Sequence, residues 1–319
     1  MKPLASISLD LDNQWSYMKT HGDSGWETFP SYFDKFIPDF LQILEKYGFK
    51  ITFFIIGQDA VLEKNRIFLK LIASSGHEIA NHSFNHDPFI QLYSKEELND
   101  EIQKAEKAIM KATGIKPVGF RGPGFSWGKD LFEVLLNNGY IYDASTFPTF
   151  LGPIARRFYF ASAKLSPGEK EKLKNLYGGF TEGFRSINPY FWKVNGRNIR
   201  EIPVSTFPVL KLPIHLSYLL YLAKFSEKLM MFYLKSAIKL AKLTKTEMSF
   251  LLHPTDILGG DVVPALKFFP GMDLTTAHKK EIFGKIIQTL DNNFTLVTMK
   301  EHSGKTNFNR IKPLPKHKS

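Results

Sequence analysis

Asp10 and Asp12 stand at the end of the chain's first apolar run, and His82 and His86 follow a later one. Two residues apart on a strand, the aspartates share a face. Four apart on a helical turn, the imidazoles share a side. Two histidines and one carboxylate form a hydrolytic-metal ligand set that leaves positions open for water and substrate. A divalent ion held by Asp12, His82 and His86 would polarise a carbonyl and lower the pKa of a bound water from about 15.7 toward about 7. Asp10, on the same face and not ligating, would then serve as general base. Arg121 would keep Asp10 ionised through a charge-assisted bond, and His253 would protonate a leaving group. These parts add up to metal-assisted hydrolysis of an amide or ester.

Each part alone has a plainer explanation. An Asp-x-Asp is most often a helix cap or turn former, and a His-x-x-x-His pair is often only surface histidine. Arg121 before Gly122-Pro123, and His253 before Pro254, both suit ordinary turns. The conjunction favours chemistry, because Asp10, Asp12, His82, Arg121, Asp143 and His253 all fall at the ends of expected strands.

Those strands come from the hydrophobic rhythm. Short apolar runs at 7–11, 51–56, 78–81, 118–121, 140–143, 201–204, 248–253 and 294–298 alternate with helical stretches, a pattern of βα units around a mostly parallel sheet or barrel. Phe36, Ile37, Phe40, Leu41 and Leu44 mark a helix over 33–47 that Gly48 stops. Ser94 and Glu97 form a capping box that opens a long charged helix, closed by Gly114. In α/β barrels the strand C-terminal face gathers residues distant in sequence, so the metal site is expected there. Residues 147–200 read as an irregular insertion, and 306–319 as a basic, disordered tail.

The 319 residues, 43% hydrophobic and 14% aromatic, are enough for a large core. With no cysteine, any metal must use nitrogen and oxygen ligands. The net charge of +11 admits nucleic acid, an anionic membrane or a phosphorylated substrate. No nucleic-acid-binding motif accompanies it, so nucleic acid is not expected as a partner. The N-terminus runs straight into a core strand, and no signal peptide is read. A cytoplasmic protein is expected, with contact at the inner membrane face as an additional reading.

The ordered motifs resemble the polysaccharide deacetylases, carbohydrate esterase family four with its nodulation-type (NodB) homology domain. The likeness runs over roughly 4–143 and 201–300 within a catalytic domain spanning 1–305. Ser8-Leu9-Asp10-Leu11-Asp12 is similar to the subgroup with one residue between the aspartates, which implies Asp10 as base and Asp12 as ligand. His82-Ser83-Phe84-Asn85-His86 fits the family's second motif. Phe120-Arg121-Gly122-Pro123, continuing to Trp127, resembles the third, implying that Arg121 serves the catalytic aspartate and that Pro123 and Trp127 line the substrate site. Leu251-Leu252-His253 resembles the fifth, implying His253 as general acid and Leu251 as wall of the acyl pocket. The fourth motif is incomplete: Asp143 has no nearby tryptophan, which leaves it a supporting role. The resemblance implies an α/β fold, a distorted (β/α) barrel of about seven strands.

The activity so implied is removal of an N-acetyl group from an amino sugar of a glycan or glycan precursor. Zinc is the first choice of metal, with cobalt or another divalent ion able to substitute. A deacylase or deformylase of a lipid-linked sugar at the membrane face is one alternative, and an inactive carbohydrate-binding barrel another. Residues 210–245 bear on the choice, because leucines, methionines and Phe232 alternate there with Lys224, Lys228, Lys235, Lys239 and Lys242. The pattern suits a helix packed on the barrel wall or, as the second reading, an interfacial helix on an anionic membrane.

Overall fold

Ten strands form one sheet in the computed structural model, which describes residues 2–174, 178–308 and 310–314. They are β1 (Leu4–Asp10), β2 (Thr52–Ile55), β3 (Glu78–Asn81), β4 (Gly119–Phe120), β5 (Tyr142–Asp143), β6 (Tyr190–Val194), β7 (Arg197–Glu201), β8 (Met248–Leu252), β9 (Thr295–Val297) and β10 (Ile311–Pro313). Around them lie α1 (Gln14–His21), α2 (Phe33–Tyr47), α3 (Gly57–Val61), α4 (Glu63–Ser74), α5 (Lys95–Thr113) and α6 (Lys129–Asn137). The later helices are α7 (Gly152–Ser162), α8 (Pro167–Lys172), α9 (Leu216–Phe225), α10 (Glu227–Leu243), α11 (Thr276–Asn293) and α12 (Met299–Lys305).

The strand order is β10-β6-β7-β5-β4-β3-β2-β1-β8, with β9 joining β1. All pairings along it are parallel except the β6–β7 hairpin. Beyond β7, Val204 N donates to Thr146 O (2.9 Å) and Ser205 N to Ser249 O (3.0 Å), so this segment joins the β5 side to β8. The sheet thereby curves round as a distorted barrel of β1–β5, β7 and β8, with β6 and β10 extending outside.

Alternation along β1 divides inside from outside. Ile7 and Leu9 pack outward with Phe53, Phe250 and Leu252 against the helices. Ser8 and Asp10 face inward, in register with Leu251 and Phe54. The barrel interior is filled by Phe54, Ala80, Tyr142, Ala144, Ile202 and Met299, each large apolar side chain contributing about 1.5–3 kcal/mol of burial. Gly119 makes room for this packing, since a Cβ there would lie 1.9 Å from the Tyr142 ring. The capping box of α5 is present, and Gly114 closes that helix at φ 77°, a conformation only glycine takes without cost.

Several expectations change. Residues 147–200 are not irregular throughout: they hold α7, α8 and both strands of a hairpin. The tail is partly ordered, because Ile311–Pro313 pairs with β6, while 315–319 lie outside the described residues. The basic segment 210–245 is two helices rather than one. They part at Ser226 (φ −167°, ψ 121°), whose hydroxyl caps α10.

Candidate metal centre and active site

The aspartates are not used as helix caps. Asn13 caps α1, accepting from Gln14 N (2.8 Å), while its amide donates to Asp59 (2.7 Å) and Ser31 (2.9 Å). The Tyr32 hydroxyl donates to the Asp12 carbonyl oxygen. The loop after β1 is thus pinned by its neighbours, and both carboxylates stay free for chemistry.

The histidines do not sit on a helical turn. They occupy an irregular loop in which Ser83 (φ 63°) and His86 (φ 57°) adopt left-handed conformations. Asn81 Oδ1 accepts from Ser83 N (2.8 Å), and Ser83 Oγ from His86 N (3.1 Å). These bonds offset the strain of two non-glycine residues at positive φ. His82 Nδ1 donates to the Arg121 carbonyl (2.7 Å), which fixes the tautomer and leaves Nε2 as a lone-pair donor.

Ligand atoms of Asp12, His82 and His86 all lie within 4.8 Å of one another, and all three residues are buried. Asp12 Oδ1 is 3.0 Å from His86 Nε2 and 3.5 Å from His82 Nε2, yet it makes no properly angled hydrogen bond. Three atoms each about 2.0–2.2 Å from one ion would stand roughly 3.2–3.6 Å apart, so the donors fit a divalent metal in number, type and spacing. Burial works against the Asp12 charge, but the neighbouring imidazoles outweigh it and hold this carboxyl far below the carboxylate range. Burial likewise disfavours the charged His82, and Asp10 and Asp12 more than compensate, so its pKa rises.

Asp10 is set apart from the ligands. Its Oδ1 accepts from Arg121 Nη1 (2.7 Å), and its Oδ2 lies 3.9 Å from Nε2 of both His82 and His253. Arg121 is fully buried, donates also to Ser8 Oγ (2.9 Å) and Ala144 O (2.9 Å), and stacks on Phe54 at 4.3 Å. His253 directly follows β8, with Asp256 Oδ2 at 3.5 Å from its Nδ1. Burial opposes the imidazolium, but Asp256 and, further off, Asp10 and Asp12 outweigh it, raising His253 to about 9.

The remaining expected residues divide. Asp143 does not bond Arg121 directly; it binds Ser145 N (2.9 Å) and Oγ (2.7 Å), and Ser145 Oγ accepts from Gly122 N (2.8 Å), which steadies the turn carrying Arg121. Leu251 faces inward and packs with Phe147, Val204 and Phe125. Pro123 is buried in the turn after Arg121. Trp127 lies in a separate cluster, stacked on Trp192 (5.2 Å) and Phe132 (6.0 Å) beneath the Arg185 guanidinium (4.1 Å). Sequence reasoning missed Ser8, although it lies two residues before Asp10 on the same face. It also missed Asp256, three residues after His253, and Glu201, which faces Asp143; burial and the Asp143 charge push Glu201 well above the carboxylate range.

Residues 19–142 match the family model for polysaccharide deacetylase. The chain is 33% identical over 101 residues to the uncharacterized protein YlxY of Bacillus subtilis, covering 32% of this chain and 31% of that protein. It is 31% identical over 109 residues to a peptidoglycan deacetylase of Helicobacter pylori, covering 34% and 36%. The matches therefore span about a third of those relatives' own lengths. A putative polysaccharide deacetylase from Mycobacterium smegmatis shares the fold, with a TM-score of 0.62 at 16% identity, covering 100% of this chain and 95% of that one. The chain is thus similar to the polysaccharide deacetylase family over residues 19–142, and it shares the fold of a putative member of that family.

Proposed function

We propose that this protein is a metal-dependent hydrolase that removes the N-acetyl group from an amino sugar of a glycan or glycan precursor. The observation that carries the reading is the division of the two aspartates: Asp12 lies against both histidines, while Asp10 is held by Arg121 and faces His253. Relatives named for peptidoglycan favour an N-acetylated glycan, and zinc is the metal that best suits this nitrogen and oxygen donor set.

Asp12, His82 and His86 would hold a divalent ion, which when bound would supply Lewis acidity toward the acetyl carbonyl and toward water. Arg121 Nη1 donates a charge-assisted hydrogen bond to Asp10 Oδ1 (2.7 Å), which orients the carboxylate and leaves Oδ2 free to act. Asp10 Oδ2 accepts the proton of the attacking water, a general-base contribution of about 10²–10⁴-fold. His253, kept protonated by Asp256, gives its proton to the departing amine. Leu251 with Phe147 and Phe125 offers an apolar wall for the acetyl methyl. No base, acid or ligand is replaced, which speaks against an inactive barrel. Acetate release from N-acetylated oligosaccharides, lost on chelation and restored by zinc, tests the proposal; no release with any divalent ion would overturn it.

A further inference from the structure

The outer face of α9 and α10 is a surface feature that hydrolysis leaves unused. Among the described residues, seven of the seventeen exposed large apolar side chains fall between Val209 and Leu243. On α9, Tyr221 and Phe225 stand one turn apart, 51% and 70% exposed, with ring centroids 5.3 Å apart. On α10, Leu229 and Phe232 do the same at 49% and 70%, and exposed Lys228, Lys235 and Lys239 share the Phe232 stripe at helical spacing. The inner faces bury Leu216, Leu219, Met230 and Leu234 against the barrel, so the outer apolar residues are not needed for packing. The loop before α9 adds Val209, 74% exposed at φ 72°, a conformation rare for a β-branched residue.

We infer that this face docks on the anionic surface of a lipid bilayer. An apolar centre flanked by lysines is the pattern of an interfacial helix, and it matches the chain's net charge of +11. The nearby acids are already engaged, Glu227 by Lys285 (2.8 Å) and Asp273 by Lys224 (2.7 Å), which leaves the lysine charge uncompensated. A second copy of the chain would bring like charges together. Among the described residues no helix is long and apolar enough to cross a membrane, so the contact is with the surface. The docking stands independently of the proposed hydrolysis, although it sets the site near the lipid. Ring contacts run from Phe225 through Tyr221, Tyr218 (6.4 Å) and His215 (6.4 Å) to Phe147 (5.7 Å), and Ser217 of α9 lies 3.4 Å from His253.

The test is co-sedimentation of the full chain with vesicles of phosphatidylcholine alone or mixed with phosphatidylglycerol. Binding is expected only to the anionic vesicles and should weaken as salt rises. The double variant Phe225→Ser/Phe232→Ser should weaken it at least ten-fold, and Lys228→Gln/Lys235→Gln by roughly five-fold per lysine. Thermal unfolding checks that each variant is folded, and the lysine pair, being exposed, keeps the test valid if the phenylalanine pair unfolds. Absence of binding by the unaltered protein, or equal binding by folded variants, would overturn the inference. So would concentration-dependent dimerisation that the phenylalanine pair abolishes without any vesicle binding.

Discussion

At the strand-end face the polar side chains are inside, and on the outer face of α9 and α10 the apolar ones are outside. Arg121 is 0% exposed and Asp10 3%, whereas Phe225 and Phe232 are both 70% exposed. Each region departs from the usual sorting of side chains, and such departures carry more information than the many residues that conform. The costs also differ. A buried charge without its partners costs several kcal/mol, so the strand-end face must be over-determined by hydrogen bonds. An exposed phenylalanine costs the fold little, so the helical face can be altered without loss of structure. The first region should break under single substitutions, and the second should show its role only against a surface.

The largest effects are therefore expected at the metal centre. His82→Ala should remove both bound metal and activity, whereas Asp10→Asn should keep the metal and lose about 10²–10⁴-fold in kcat. Metal analysis of the two purified variants beside acetate release checks the division; equal metal loss in both would erase the distinction between base and ligand. Arg121→Met should follow, since it leaves the Asp10 carboxylate buried without its partner and costs about 3–5 kcal/mol of stability. Denaturant unfolding measures it. Gly119→Ala comes next: its Cβ would meet Tyr142 at 1.9 Å, and overpacking of this kind typically costs about 1–3 kcal/mol. A Tm within a degree of the parent would show that the interior gives way more easily than its packing suggests.

How far each region was legible follows from the range of the interactions that build it. The βα rhythm, the α5 capping box and its Gly114 stop depend on neighbours in sequence, and the structure has them. The strand-end convergence of Asp10, His82, Arg121 and His253 was legible because strand ends share a face in parallel sheets. The loop between His82 and His86 was not, since its left-handed residues are held by Asn81 and Ser83 rather than by any helical period. The β6–β7 hairpin had a signal that was passed over: Asn195-Gly196, at φ 47° and 81°, is the favoured two-residue hairpin turn. Trp127 lay beside a motif in sequence, but it was captured by Trp192, whose position only the hairpin determines. The basic segment gave its period but not its break, because Ser226 continues neither helix and caps the second.

The smallest effects sharpen the contrast. Asp256→Asn leaves the metal ligands intact and removes the charge that most favours the His253 imidazolium. The general acid must be protonated to act, and its pKa is raised, so activity should fall as pH climbs through the His253 titration; in the variant that alkaline limb moves to lower pH. NMR titration of the metal-free protein should place His253 near about 9 in the parent and lower in the variant. An unchanged midpoint would mean that Asp256 serves only its bond to His253 N (2.8 Å). On the helical face, Phe225→Ser/Phe232→Ser should leave kcat and KM for a soluble oligosaccharide unchanged, because neither ring touches the ligands, the base or the acid. The same variant assayed on substrate carried in anionic vesicles should lose activity through KM while kcat holds, since fewer molecules reach the surface but each that does reacts normally. A matching loss on soluble substrate would mean that the ring contacts from Phe225 to Phe147 transmit to the acetyl wall, and the two regions would then be one site rather than two.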